Sequence, residues 1–490
     1  MSLDSPPPGS PPAPGPPSGP RLGADEWVAR EAHRREYLPS WLGRGQRLAE
    51  RAGFWPRLAV AGLAAAVLPL FGLGGFQLQV GIDALVIALL AVGLNIVVGW
   101  AGLLDLGYIA FFGFGAYGFA LLSSAEIGST GIHLPAYLSL PIVMIAAALL
   151  GLGVGLPSRR LIGDYLAIVT LFFGEAFVEF TNNVAPSKLG GPNGITGIDP
   201  IRAFGWQLVS NYGYYYLLVI ALVVTMAVLR LVERSRTGRA WRAVREDPLA
   251  AASMTIPVNR VKLAAFAAGA VVAALAGTIY AAQQASVFPT DFDTPILILI
   301  YAGLILGGAG SIAGAALGAL VVMITYDGLL RSSAEAGYLF YGLIVLTLLV
   351  KLRPWRRLAA VLAATVAFGF AAYVIAKAIS ATAVASGPQS GGWIASALRD
   401  WVIVPANPQT PGNWGFVALI VMLIALIQVG TRWRTILMVP TIYLASFVWE
   451  TRLVVEPSIT RQLLIGAILI VMMNARPQGL LGQRRVEALT

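Results

Sequence analysis

Six acidic side chains stand in or beside apolar stretches of this chain: Asp83, Asp105, Asp164, Glu175, Glu179 and Asp327. A carboxylate at bilayer depth costs about 2.5–3.5 kcal/mol or more unless it pairs or faces water, so each is a candidate functional group. Glu175 and Glu179 are one helical turn apart and face one way. Beside Asn182 and Asn183 they could meet the amino group of an incoming solute at an outer mouth; the alternative is an exposed helix end just above the lipid. Asp105 and Asp164 stand at cytoplasmic ends of their segments, where solvation is the expected state. Other chemistries are excluded by composition. There is no cysteine, which removes thiol nucleophiles, disulfides and thiolate metal sites, and two histidines, His33 and His133, make no His-rich metal cluster. Lys188, Lys262, Lys351 and Lys377 are followed by Leu, Leu, Leu and Ala, so no phosphate-binding Lys-Ser or Lys-Thr loop occurs and the chain has no ATP site of that kind.

The elements that must position these groups are transmembrane helices. Of 490 residues 57% are hydrophobic and 12% charged, with a mean hydropathy of +0.75, which excludes a water-soluble enzyme. Residues Thr294 to Tyr326 include no Asp, Glu, Lys or Arg. Apolar segments are expected at 57–72, 80–100, 103–124, 134–156, 161–180, 213–232, 261–284, 295–308, 312–330, 337–352, 358–380, 414–430, 435–449 and 461–474. Several are short for a core of roughly 30 Å, and the 80–124 and 295–330 regions have no charged linker, so broken or re-entrant helices are expected there. Dense glycines from Gly93 to Gly115 also argue against a continuous stiff helix. The fold class is an all-α polytopic membrane protein.

Alternating the segments from a cytoplasmic N-terminus leaves only Lys188, Arg202, Arg331, Lys377, Arg399, Arg452 and Arg461 outside or near outer helix ends, out of 34 Lys and Arg. That asymmetry puts both termini in the cytoplasm. The net charge of +10 is therefore topological, and nucleic-acid binding has no basic, aromatic-interleaved module to support it. Residues 1–20, with nine prolines, are expected to be disordered. Residues 21–57 are Arg-rich, with Trp27 and Trp41, and read either as an interfacial helix or as a solvated tether.

Two loops stand out. Arg230 to Phe266 is the largest cytoplasmic loop; Arg236, Arg239, Arg242 and Arg245 recur every three residues, followed by Glu246, Asp247 and Ala250–Ala252. Such a stretch can lie along the membrane surface and present a compact face to a partner, or merely hold topology. Lys188 to Ile198 is a Gly- and Pro-punctuated outer turn. Gly303, Gly307, Gly310, Gly314 and Gly318 include four-residue spacings that allow close helix approach, either as static packing or as a sliding contact.

The Arg-rich loop resembles the coupling loop of ABC importer permeases, with Glu246, Ala250, Ala251 and Ile256 in its Glu-Ala-Ala element. More closely, SRTGRAWRAVREDPLAAASM, GLNIVVGWAGLLDLGYIAFFGFGAY from Gly93, GDYLAIVTLFFGE from Gly163, GGPNGITGI from Gly190 and LILGGAGSIAGAALGA from Leu304 are similar in order and spacing to the LivM-type branched-chain amino acid permease family. The ending RPQGLLG from Arg476 matches its usual C-terminus. The resemblance implies a permease subunit forming half of a translocation path in an ATP-driven importer of branched-chain or similar small apolar amino acids, with no chemistry of its own and no bound cofactor, ATP being used by partner subunits. It implies as partners a second, LivH-like permease, two ABC ATPase subunits and an external binding protein, in a bacterial inner membrane.

On that resemblance Gly238, Arg239, Arg242, Arg245, Glu246, Asp247, Ala250, Ala251 and Met254 form the ATPase-coupling loop. Asn95, Tyr165, Thr170, Glu175 and Glu179 are path candidates, and Gly190, Gly191, Pro192, Asn193 and Gly194 a docking loop for the binding protein. Thr255 stands where the loop usually has Gly, which implies a different turn. The chain divides into an extension (1–56), a core (57–336) with coupling loop 233–262, added segments (337–460), and a terminal helix with tail (461–490). The added segments are even in number and rich in interface aromatics such as Trp393, Trp401, Trp414 and Trp433, as in a peripheral bundle anchored in lipid. Composition and topology alone also permit an ion-coupled amino acid carrier, and neighbouring permease families carry urea or short amides.

Overall fold

The computed structural model describes residues 53–481 apart from 73, 125–133, 158–163, 185, 204–205, 331–332, 352–354, 381–383, 385–391, 454–460, 467–468 and 471–478. The expected N-terminal extension up to residue 52 lies outside the described residues, as do His33 and His133. Among the described residues ten helices are long and apolar enough to cross a membrane. Each of the fourteen expected apolar segments holds helix, but some, such as Tyr108–Ser123, are too short to cross on their own.

By internal contacts the residues up to Ala61 fall in one unit and Gly62–Gln483 in a second. In the first unit the described residues begin helix α1 (Phe54–Val67), with the Phe54 and Trp55 rings edge-on at 5.7 Å. Everything that follows concerns the second unit.

Helix α2 (Gly75–Leu94) is its centre. Every residue from Ala84 to Leu94 is buried, as expected of a helix that is apolar all round and surrounded by others. It runs into a π turn, Asn95–Trp100, and then into seven non-helical residues before α3 (Tyr108–Ser123). Helices α4 (Ala136–Gly155), α5 (Asp164–Asn183) and α6 (Asn211–Arg234) follow. Between α5 and α6 lie the two-residue strands β1 (Ile195–Thr196), β2 (Arg202–Ala203) and β3 (Trp206–Gln207), the last two paired as a hairpin.

Ser235 ends α6 and caps α7 (Arg236–Glu246), its Oγ accepting from Gly238 N. Asp247 does the same between α7 and α8 (Pro248–Ser253): its Oδ1 accepts from Leu249 N at 2.8 Å and Ala250 N at 3.1 Å, with Pro248 at the first helical position. Such caps each contribute about 1 kcal/mol and turn the chain sharply without exposing orphan N–H groups. Helix α9 (Val258–Gln284) then packs along α3 and α4, and β4 (Ser286–Val287) pairs antiparallel with β1, Ile195 opposite Val287.

Helices α10 (Thr294–Gly307) and α11 (Ile312–Met323, extended by a π turn Ile324–Leu329) form a tight hairpin. A Cβ at Gly303 would lie 2.9 Å from Ala319 Cβ, so the glycine stripe is a close-packed seam. The turn between them uses Gly308 at φ 106° and Gly310 at φ 98°, backbone that only glycine adopts readily.

The stretch expected as added segments, with the residues leading into it, folds as α12 (Ser333–Lys351), α13 (Trp355–Ile379), α14 (Gly392–Leu398), α15 (Gln409–Gln428) and α16 (Thr431–Val448). Helix α16 packs against α13 and α15. Trp393, Trp414 and Trp433 are exposed, as expected of interface aromatics, but Trp401 is not. Its indole is buried with Val402, Val404 and Tyr443, and Nε1 donates to Val366 O at 3.0 Å, because Gly369 leaves room for the ring. The region ends where it began. Arg461 Nε donates to Leu330 O at 3.1 Å and its guanidinium lies 3.7 Å from Asp327, so the last helical residues, 461–466 and 469–470, start beside the end of α11. Ile465 and Leu469 pack on Leu299, Leu306 and Val322 of the core. Leu480 and Leu481 N–H groups donate to the end carbonyls of α10, Leu306 O and Gly307 O, at 2.8 and 2.9 Å, so this pair from the RPQGLLG motif caps α10.

Candidate functional site

The sequence separates the coupling loop, the broken-helix region and the α10–α11 turn by up to about two hundred residues, and the fold brings them together. Trp241 on α7 is buried; its Nε1 donates to Val261 O at 2.8 Å and its ring stacks on Trp100 at 6.0 Å between centroids. Trp100 Nε1 donates to Gly310 O at 3.1 Å. Gly310 N donates to Asn95 Oδ1 at 2.7 Å. Arg245, one turn after Trp241 on the same face of α7, donates from Nη1 to Gly99 O. Its methylenes lie against exposed Gly102, which has φ 69°: a Cβ there would stand 2.8 Å from Arg245 Cγ.

The other coupling-loop residues divide by exposure. Gly238 is buried, and a Cβ there would stand 2.6 Å from Glu233 Cα, so α7 folds back closely on the end of α6. Arg239 donates to Arg234 O at 2.8 Å, and Arg242 donates to Glu233 O at 3.1 Å while its guanidinium lies 3.9 Å from the Glu233 carboxylate. Ala251 is buried under α8. Glu246, Asp247, Leu249, Ala250, Ala252 and Met254 face outward. Leu249 is 83% exposed and Met254 75%, two uncovered apolar side chains near the exposed acids Glu246 and Asp247. Thr255 has φ 64°, so the turn expected to differ keeps the left-handed geometry of a glycine. Its Oγ1 donates to Met254 O at 2.7 Å.

Of the path candidates, Asn95 is 1% exposed and engaged as the clamp to Gly310. Thr170 is also buried; its Oγ1 accepts from Leu106 N at 3.0 Å and donates to Ala167 O at 3.1 Å. Tyr165, Glu175 and Glu179 are exposed on α5. There Tyr165, Ile168, Val169, Phe172, Glu175, Ala176, Glu179 and Phe180 share one uncovered face at helical spacing. Glu175 accepts from Thr294 Oγ1 at 2.5 Å and Glu179 from Asn183 Nδ2 at 2.6 Å.

Asp105 corrects the sequence reading. Expected at a solvated helix end, it is fully buried: Tyr301 OH accepts from its N–H at 3.2 Å and donates to its carbonyl at 2.6 Å, and Oδ1 accepts from Gly107 N at 3.0 Å. Burial comes from α10 and α5, which the local sequence does not announce. Asp164 opens α5, with its side chain outside the described set. Trp241, Trp100 and Tyr301 are the residues that sequence reasoning missed; the one local signal was Trp241 and Val244 interrupting the arginine repeat with an apolar face.

The outer loop is a tight knot. Gly190, Gly191 and Gly194 all have positive φ, Gly191–Asn193 make a single 3-10 turn, and Pro192 and Asn193 project outward. Among the described residues no group of three or more acidic or histidine side chains could hold a metal ion.

The family described as branched-chain amino acid transport system / permease component matches residues 77–350. The chain belongs to that permease family. It is 35% identical over 321 residues to the high-affinity branched-chain amino acid permease LivM of Escherichia coli K12, an alignment covering 61% of this chain and 72% of that protein. With LivM of Salmonella typhimurium it shares 36% over 292 residues, covering 55% and 66%. A probable LivH permease of Methanocaldococcus jannaschii shares 26% over 223 residues, covering 43% and 69%. No solved structure gives a significant match. With ten apolar helices and these relatives, the chain is a multi-pass inner-membrane permease subunit of an ABC importer, a transporter component like its relatives. The family match ends at residue 350, near the end of α12.

Proposed function

We propose that this permease carries branched-chain or similar small apolar amino acids, as one half of a path completed by a LivH-like permease. Two ABC ATPase subunits dock on the α7–α8 loop, and an external binding protein docks around Gly190, Gly191, Pro192, Asn193 and Gly194. The observation that carries the reading is the α7–α8 knob: capped by Ser235 and Asp247, it presents Glu246, Leu249, Ala250 and Met254 outward while Trp241 and Arg245 root it in the transmembrane core. The chain binds no cofactor, and ATP is consumed by the partner subunits. Both termini and the α7–α8 knob face the cytoplasm, which the distribution of Lys and Arg supports. The exposed face of α5, apolar but for Glu175 and Glu179, suits a path or subunit seam in which the acids meet an ammonium group.

Replacing Glu246 and Ala250–Ala252 with bulky basic residues is expected to abolish co-purification of the ATPase subunits while the chain still inserts. Undiminished ATPase binding would count against the reading.

A further inference from the structure

Two helix breaks meet on one side chain. The first is the π turn and loop after α2, where Arg245 donates to Gly99 O and packs against Gly102. The second is the α10–α11 turn, where a Cβ at Gly310 would stand 3.0 Å from Arg245 Nη1. Asn95 and Trp100 fasten the two breaks to each other through Gly310 N and Gly310 O, 215 and 210 residues away in sequence. Trp100 in turn stacks on Trp241, four residues before Arg245 on α7. The α7 helix is thus joined to both breaks by a guanidinium and an indole one turn apart.

Backbone at a helix break has carbonyls and N–H groups without intrahelical partners, and at membrane depth each must find one inside the protein. Here Gly99 O, Gly310 N and Gly310 O take their partners from α7 and from the opposite break. A shift of α7 relative to α6 and α9 therefore cannot leave one break behind without stranding Gly99 O or Gly310 O. Leaving a buried carbonyl without its hydrogen bond is costly, which favours concerted movement over separate movement.

We propose that Arg245 is a positioning residue that locks the two breaks to the ATPase-facing helix, so that displacement of α7 moves Gly99–Gly102 and Gly308–Gly310 together. This rests on the importer reading for its driving force, but the lock itself is a property of this chain. The arginine fork suits the role. A guanidinium can hold one carbonyl while its plane lies against a second backbone segment, which a lysine ammonium cannot reproduce in full.

The chain has no cysteine, so spin labels can be placed at will. Labels at Leu104→Cys, beside the first break, and Ser253→Cys, at the end of α8, are both on exposed positions. In the purified full chain, Arg245→Gln is expected to broaden the distance distribution between them, Arg245→Lys to restore it in part, and Arg356→Gln, on an exposed arginine of α13 outside the coupling loop, to leave it narrow. In the complex reconstituted in proteoliposomes, Arg245→Gln is expected to raise ATP hydrolysed per radiolabelled leucine imported by about fivefold or more, the scale of a coupling free energy near 1 kcal/mol. An unchanged distance distribution, or a ratio matching that of Arg356→Gln, would overturn the proposal. If the unmodified chain retains no ATPase at all, the importer reading fails instead, and the distance measurement in the isolated chain still decides the lock.

Discussion

Thr255 holds a left-handed backbone, φ 64°, at an exposed turn following α8. A β-branched residue there is strained, because its Cβ crowds the following carbonyl by about 1–2 kcal/mol. Thr255→Gly is therefore expected to stabilise the chain by roughly 1 kcal/mol, after part of the gain is returned as added flexibility of the unfolded chain. Thermal unfolding in detergent at a fixed scan rate measures this; a lowered midpoint would mean that the hydroxyl bond to Met254 O outweighs the strain. The same residue shows how sequence misleads at this scale. Thr in place of Gly implied a different turn, yet the hydrogen bond of Ile256 N to Ala251 O and the close of α8 on Met254 impose the turn regardless. Asp105 was misread for a related reason: its burial is set by Tyr301 and Thr170, residues that stand 196 and 65 positions further along the chain.

Helices were the most legible feature, because twenty-residue apolar windows and cap residues are local signals. Glycine density pointed to the break between α2 and α3, and the short segments without a charged linker pointed to the one between α10 and α11; positive φ at Gly102 and at Gly308 and Gly310 marks the chain at these breaks. What remained hidden is how the breaks meet. The Asn95–Gly310 and Trp100–Trp241 contacts join segments that carry no mutual signal in a single sequence. Element orientation can be read directly by labelling. Asn193→Cys, exposed in the outer loop, is expected to react with an impermeant maleimide on intact cells, and Arg242→Cys on α7 only after permeabilisation. Reaction near Arg242 in intact cells would invert the topology.

For the whole molecule, α12 to α16 leave and return at one point, since Arg461 sits on Leu330 O and against Asp327. A short flexible linker replacing residues 331–460 is then expected to preserve the order of amino acid preference while lowering yield or subunit retention. A shortened chain that assembles normally but changes its preferred substrate would place those helices on the path. The importer assignment itself rests on the family match across the core, the knob on α7 and α8, and the rooting of that knob in both helix breaks.

Uptake of radiolabelled leucine tests that assignment most directly, with this chain in proteoliposomes together with its second permease, ATPases and binding protein. Uptake is expected to require ATP on the ATPase side and to persist when sodium and proton gradients are collapsed. Uptake by the chain without ATPase subunits, driven by an ion gradient and lost in Glu175→Gln or Glu179→Gln, would contradict the account and make the protein an ion-coupled carrier.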